Sequence, residues 1–297
     1  MSMADDGELD LRIYAMLRDA GENLDALGEP IRSHGRDRLD IAAVKLYADG
    51  ALGSRGAAMI EPYSDDAENR GLPFYSVDEM TAFVRKANTM GFQVGIHAIG
   101  DHGNRIALDA FERAQDGDKS ALRNRIEHAQ IIALEDIPRF GQLGVIAAMQ
   151  PVHATSDMNM AEDRVGPERI KGGYAWRRLL DSGAVLASGS DFPVERPNPW
   201  HGLYAAVTRQ SRSGLPDGGW YADQALTRAE ALHSFTLAAA YAAHQEKRLG
   251  SLEPGKWADF IIIDRDFFQV PVSEIDDIQV LETWVGGERV FVAGETR

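Results

Sequence analysis

The sequence predicts an α/β fold built on a parallel sheet and followed by a small C-terminal β element. Over most of the chain, short apolar runs alternate with amphipathic stretches, and this alternation is typical of repeated β-α units. The chain has 297 residues, 44% of them hydrophobic and 26% charged, which is enough for one large α/β domain or two smaller ones. After Leu249 turn-rich and β-branched sequence replaces the alternation, so we expect one domain over residues 1–248 and a β element over residues 249–297.

Six short apolar runs are the predicted strands of the sheet, at residues 11–16, 41–47, 92–97, 125–129, 145–149 and 185–188. A helix should begin between the second and third runs at a capping box formed by Ser76 and Glu79, because each side chain can bind a backbone N–H at the helix start. Gly91 is the predicted end of this helix.

The C-terminal third contains a second helix signal and a hairpin signal. Thr227 and Glu230 form another capping box, and the alanine-rich sequence after it predicts one long helix running to about His244. Residues 250–264 are a turn-rich lead into a β-branched strand with no helix predicted after it. The Gly286–Gly287 pair suits the positive φ angles of a tight turn between two further strands, at 278–285 and 288–292.

Charge and composition exclude several classes of partner. The 31 Lys and Arg residues against 46 Asp and Glu residues give a formal charge of −15, which argues against binding to nucleic acid or to an anionic membrane surface. The longest weakly polar run, residues 233–244, is far shorter than the ~18 to 20 apolar residues of a membrane span. The first residues are acidic, unlike a secretory signal, so we expect a soluble cytoplasmic protein with no nucleic-acid or membrane partner.

Candidate metal ligands stand at the carboxyl ends of the predicted strands, where α/β barrels place their active sites. They are Lys45, His97, His128 and, just after the last strand, Asp191. Each alone has an ordinary structural explanation, such as a hydrogen-bonded core histidine or a solvated lysine. Their joint placement favours a site for zinc or a similar divalent ion, and the chain has no cysteine to supply a thiolate.

Six motifs in order resemble those of one enzyme family, the YtcJ-like branch of the amidohydrolase superfamily, which includes N-substituted formamide deformylases. The resemblance runs from about Leu11 onward. The motifs are KLYADGALGSRGA (45–57), GIHAIGD (95–101), RIEHAQ (125–130), MQPVHATSDM (149–158), ASGSDFPVE (187–195) and GSLEPGKWADFIIID (250–264).

The resemblance implies a TIM-type (β/α)8 barrel that holds one or two divalent ions, with zinc as the expected metal. It implies a hydrolase that acts on carbon–nitrogen bonds other than peptide bonds, in an amide, formamide or cyclic amide, through metal-activated water. Lys45 matches a lysine that becomes carboxylated and bridges two ions, and His97 and His128 match two imidazole ligands. Asp191 matches the aspartate that contacts a metal and shuttles the proton from water to the leaving group.

The sequence departs from the family at its beginning, because the His-x-His pair of the first family strand is absent from the chain. With Lys45 on strand four, the chain would supply strands 3 to 8 of the barrel and part of the β-sandwich. We therefore expect fewer metal ions than in a binuclear relative, and self-association to cover the open wall. The alternative is a truncated or inactive amidohydrolase-like scaffold with a weak or absent metal site.

Two further residues are predicted substrate contacts. Arg55 follows Lys45 in a loop, where its guanidinium could hold a carboxylate in bidentate fashion. His153 follows the fifth strand run, where its imidazole could polarise a carbonyl. A purely structural role in these loops is an equally good interpretation of both.

Overall fold

The computed structural model describes residues 1–18, 21–115 and 122–295, which pack as two compact units. The first unit comprises Met1–Glu8, Arg12–Met149 and Asp157–Leu186. The second comprises Leu9–Leu11, Gln150–Ser156 and Ala187–Arg297. The predicted domain boundary at residues 248 and 249 stays a prediction.

A mostly parallel sheet of seven strands carries the fold, as the sequence predicts. Its order is β1-β3-β4-β5-β6-β7, and β2 pairs antiparallel with β3 beside this path. The strands are β1 Ile13–Arg18, β2 Ile31–Ser33, β3 Leu39–Tyr47, β4 Gln93–Ala98, β5 Arg125–His128, β6 Ile146–Met149 and β7 Leu186–Ser188. All six predicted runs are strands, whereas the three-residue β2 is too short to have a readable alternation.

Twelve α-helices lie among the described residues. They are α1 Ser2–Asp5, α2 Glu22–Leu27, α3 His34–Asp37, α4 Val77–Thr89, α5 Asp101–Ala114, α6 Ile137–Leu143, α7 Pro151–Asp157, α8 Ala161–Arg169, α9 Trp176–Asp181, α10 Pro199–Thr208, α11 Arg228–Phe235 and α12 Leu237–Ala242. Short 3-10 helices occupy Ile170–Gly172, Ala222–Gln224 and Val272–Asp277. No helix in the described ranges is long and apolar enough to cross a membrane.

The capping box before α4 forms as predicted. The Glu79 N–H donates to Ser76 Oγ at 3.3 Å, and the Ser76 N–H donates to Glu79 Oε2 at 2.9 Å. The helix buries Met80 and Val84, and Gly91 follows its end with a φ of +84°. This helix packs on α5 and β4, and β4 is buried along almost its whole length, as expected for a parallel strand covered on both faces.

The prediction of one helix from Thr227 to about His244 is wrong in its length. The Thr227–Glu230 capping box forms, but the helix breaks at Thr236, where φ is −122° and ψ is −90°. Thr236 Oγ1 donates to the Leu232 carbonyl at 2.7 Å. Such a bond from a threonine to the carbonyl four residues earlier is known to bend helices, and here α11 ends and α12 begins.

The C-terminal residues form a separate antiparallel sheet in the order β10-β9-β8. Its strands are β8 Phe260–Ile263, β9 Val280–Val285 and β10 Glu288–Val292. Gly286 and Gly287 join β9 to β10 with φ angles of +65° and +80°, which confirms the predicted glycine turn. The 3-10 helix between β8 and β9 was not expected; it follows Pro271, whose fixed φ suits a helix start.

Candidate functional site

The first unit places three of the predicted metal ligands at the carboxyl ends of adjacent strands. Tyr47 of β3 pairs in register with His97 of β4, and Ala98 pairs with His128 of β5. The His97 and His128 ring centroids are 4.6 Å apart, with the rings nearly perpendicular at 72°. Lys45 Nζ lies 5.2 Å from the centroid of the Tyr47 ring, which is itself 5.4 Å from the centroid of the His97 ring.

The backbone at the end of β5 turns His128 toward His97. Strand alternation alone would direct His128 to the face opposite Glu127. The chain leaves the strand at His128 and Ala129, which have φ angles of +75° and +43°. Positive φ in non-glycine residues costs roughly 1–3 kcal/mol and is concentrated at functional sites. The sequence motif contains these residues but gives no signal for this backbone conformation.

Asp49, which the sequence analysis missed, joins the loop after β3 to the loop after β4. Its buried carboxylate accepts hydrogen bonds from the backbone N–H groups of Ala58, Ile99 and Gly100, at 2.9, 3.0 and 2.8 Å. Asp49 Oδ1 is 3.5 Å from His97 Nε2, so the same carboxylate lies against a predicted ligand. Burial raises the pKa of Asp49 to about 7, although the three N–H donors lower it. The sequence signal that could have indicated Asp49 is an acidic residue two positions after the end of a predicted strand.

The sequence analysis also missed a charged pair on β5, which is separated from Lys45 in the sheet by Gly95 of β4. Arg125 and Glu127 are two residues apart on β5, and Arg125 Nε contacts Glu127 Oε1 at 2.5 Å. Burial opposes ionisation of Glu127, but the charges of Arg125 and Lys45 outweigh it and lower the pKa of this carboxyl below its usual value. Gly95 of β4 makes room for the pair, because a Cβ there would stand 2.8 Å from Glu127 Oε1. Strand alternation places Arg125 and Glu127 on one face and could have predicted the pair.

The second unit contains the remaining predicted acid beside a predicted substrate contact. Asp191 follows β7 with a φ of +59°, and its Oδ2 is 3.6 Å from His153 Nε2. His153 lies on α7, and three residues further along, Ser156 Oγ donates to Glu195 Oε1 at 2.6 Å. These two contacts connect α7 to the segment after β7, and they leave the Asp191 side chain 35% exposed.

The predicted substrate contact Arg55 is engaged within the first unit. Its Nε and Nη2 donate to Asp65 Oδ1 and Oδ2 at 3.1 and 2.9 Å, in the bidentate arrangement typical of a guanidinium and a carboxylate. Arg164 contacts the same carboxylate. A role for Arg55 in binding substrate would require exchange of this partner, and it stays a prediction.

Comparison with known proteins identifies the family. A family description, "Amidohydrolase family", matches residues 1–291. The chain belongs to the amidohydrolase family. It is similar to a protein of Arabidopsis thaliana named "Protein LONG AFTER FAR-RED 3", with 39% identity over 85% of this chain and 43% of that protein. It is also similar to "Putative amidohydrolase YtcJ" of Bacillus subtilis, with 31% identity over 92% of this chain and 50% of that protein.

Two further comparisons agree with the YtcJ-like resemblance. "N-substituted formamide deformylase" of Arthrobacter pascens is 30% identical over 82% of this chain and 44% of that protein. The crystal structure of an uncharacterized metal-dependent hydrolase from Pyrococcus horikoshii matches with a TM-score of 0.80 and 35% identity, over 91% of this chain and 54% of that one. The family and this structural similarity indicate an amidohydrolase barrel fold. The chain spans about half the length of these relatives.

Proposed function

We propose that this amidohydrolase-family protein is a metal-dependent hydrolase of small molecules, acting on carbon–nitrogen bonds other than peptide bonds in an amide, formamide or cyclic amide. The observation that carries the proposal is the His97–His128 pair at the ends of neighbouring parallel strands, with Lys45 on the next strand. A relative named as a formamide deformylase supports the substrate class.

The donor set of the first unit suits a divalent ion. Zinc binds imidazole nitrogen at ~2.0 to 2.1 Å in tetrahedral geometry, which separates the centres of two ligand rings by roughly 5 Å. The 4.6 Å between His97 and His128 is close to that separation. We infer that His97 and His128 hold the ion and that Lys45 assists as an amine or, in carboxylated form, as an oxygen ligand. Asp191 is proposed as a further ligand from the family resemblance alone. Imidazole and carboxylate donors suit zinc or a similar divalent ion, and iron and manganese accept the same ligands.

A bound divalent ion would supply Lewis acidity toward the amide carbonyl and would lower the pKa of water. Asp191 would take a proton from the attacking water and deliver it to the departing nitrogen as the C–N bond breaks. His153, 3.6 Å from the Asp191 carboxylate, would hold that carboxylate in place. Asp49 would hold His97 in place, since a carboxylate beside a ligand histidine fixes its ring orientation.

Metal analysis and hydrolysis assays on the same preparations test the proposal. We expect metal to co-purify with the protein and to fall at least 10-fold in occupancy in His97→Asn and His128→Asn. Asp191→Asn keeps the side-chain shape but cannot accept a proton, so hydrolysis of N-formyl and N-acyl amines should be abolished in it. His233→Asn, a histidine of α11 outside the site, is the matched control. Equal metal content in all variants would refute the ligand assignment.

A further inference from the structure

The motif RIEHAQ (125–130) contains a buried residue that the proposed hydrolysis does not use. Gln130 ends this motif, two positions after His128. An amide side chain offers two N–H donors and an acceptor oxygen, and buried polar groups are normally paired. In the first unit, Gln130 Nε2 donates to Asp157 Oδ2 at 2.6 Å and to Tyr174 Oη at 2.5 Å.

Gln130, Asp157 and Tyr174 form a closed set of three hydrogen bonds, which we call the Tyr174 network. The buried Tyr174 hydroxyl donates to Asp157 Oδ2 at 2.6 Å, while it accepts the hydrogen bond from Gln130. All three residues belong to the first unit. Because each side chain contacts the other two, a change in one of them removes two of the three bonds and frees the remaining pair to move.

The backbone joins the same two segments. The Tyr174 N–H donates to the Gln130 carbonyl at 2.7 Å, and the Ile132 N–H donates to the Gly172 carbonyl at 3.0 Å. The segments approach closely, because a Cβ at Gly172 would stand 1.9 Å from the Ile132 oxygen. Tyr174 has a left-handed φ of +48°, a conformation that persists only where the surrounding contacts hold it. The segment after β5 is therefore anchored by side chains and backbone together.

This anchor directly follows His128 and Ala129, the two left-handed residues at the end of β5. On their other side, β5 is held in the sheet by its parallel pairing with β4. The buried Asn104 of α5 connects the ends of both strands, because its Nδ2 donates to the Ala98 carbonyl at 3.3 Å and to the Ile131 carbonyl at 3.0 Å. The positive φ angles that direct the His128 ring are thus held from both sides.

We propose that Tyr174 is a positioning residue for the metal site. It holds Gln130 and thereby fixes the backbone that directs the His128 ring toward the ring of His97. This inference rests on the proposed function, because the arrangement of the two imidazoles affects the reaction only if they bind an ion. Loss of a group that orients a metal ligand typically costs 10- to 100-fold in metal affinity or activity. The Tyr174 hydroxyl is buried, so it contributes to the geometry of the site and does not contact substrate.

Tyr174→Phe in the full chain tests the proposal with the loss of one oxygen atom. The affinity for Zn²⁺, measured by competition with a chelator, should fall about 10-fold. In the metal-free protein, the nuclear Overhauser effects between the ring protons of His97 and His128 should weaken. Tyr14→Phe is the matched control, because Tyr14 Oη also donates to a glutamine, Gln93 Oε1 at 3.1 Å, at the first residue of β4. It should leave the Zn²⁺ affinity and the ring-to-ring effects unchanged.

An exchange of side chains of equal length tests whether the network itself is responsible. Gln130→Glu places two carboxyl groups against each other, so the Zn²⁺ affinity and the ring-to-ring effects should fall at least as far as in Tyr174→Phe. Adding Asp157→Asn restores a donor opposite an acceptor, and the double variant should recover most of both losses. If Gln130→Glu does not fold, the result for Tyr174→Phe decides the question.

The two measurements separate failure of this inference from failure of the proposed function. Unchanged ring-to-ring effects in Tyr174→Phe, or no recovery in a folded double variant, would overturn the role of Tyr174 even if the protein binds Zn²⁺. Weakened ring-to-ring effects in Tyr174→Phe, together with no Zn²⁺ binding by the unmodified protein, would retain the positioning of His128 and refute the proposed metal site.

Discussion

Gly95→Ala should destabilise the first unit through the charged pair on β5. A Cβ at Gly95 would stand 2.7 Å from Met16 Cε, 2.8 Å from Glu127 Oε1 and 3.5 Å from Arg125 Nε. Met16 ends in a flexible methyl group that can move away. Glu127 cannot move without disturbing its 2.5 Å contact with Arg125, and both side chains are largely buried.

The cost follows from these contacts. Overpacking by one methyl group costs about 1–3 kcal/mol, and we expect the upper half of that range because one of the two displaced groups is ion-paired. Urea denaturation followed by circular dichroism measures the change in the free energy of unfolding. Native-state hydrogen exchange of β4 localises it, because the amides of that strand should lose protection while those of β9 keep theirs.

Two controls make the reasoning refutable. Gly189→Ala adds the same methyl group where no atom lies within 4 Å, so stability should change by no more than about 0.5 kcal/mol. Met16→Ala combined with Gly95→Ala removes one of the two clashes and should couple with the single substitution in a double-mutant cycle. If Gly95→Ala unfolds at the same urea concentration as Gly189→Ala, the Glu127 side chain is not held as the contacts require.

Three other predictions concern different parts of the chain. In an NMR titration the pKa of His201 should lie below its usual 6.5, and it should rise in Arg212→Gln. Because the folded state resists protonation of this histidine, the free energy of unfolding should decrease as the pH falls below about 6.5. An unshifted titration would contradict the buried environment of His201 near Arg212. Thr227→Ala removes the side-chain acceptor of the Glu230 N–H and should cost about 1 kcal/mol of unfolding free energy, whereas Thr89→Ala, outside any N-cap, is its control. Homo-oligomers should form through the edge of β1 or the edge of β7, because among the described residues β1 pairs only with β3 and β7 only with β6. Sedimentation velocity at low micromolar concentration checks this, and a monomer would contradict it.

Six of the seven strands of the sheet could be predicted because each is a short apolar run bounded by polar sequence, whereas the three-residue β2 has no such run. The N-terminal ends of α4 and α11 could be predicted for a local reason as well, since a capping box involves residues only three apart. The break at Thr236 could not, because an alanine-rich stretch favours continuing the helix and nothing in its pattern shows that the threonine hydroxyl will bind the Leu232 carbonyl. The composition therefore predicts one continuous helix, whereas the hydrogen bond of the Thr236 hydroxyl determines where α11 ends.

Part of the candidate site could likewise be predicted from the sequence, and part of it could not. His97 and His128 could be located from the sequence because parallel strands bring their carboxyl ends to one edge, and that rule depends only on strand order. Their rings come within 4.6 Å because the backbone at His128 and Ala129 is left-handed, and no adjacent glycine in the sequence indicates that conformation. Asp49 was missed because its role depends on three backbone N–H groups, one in its own loop and two in the loop after β4, and residue type does not show which backbone donors a carboxylate will meet. A motif therefore predicts which side chains meet, whereas the groups that orient them become visible only when the loops are folded.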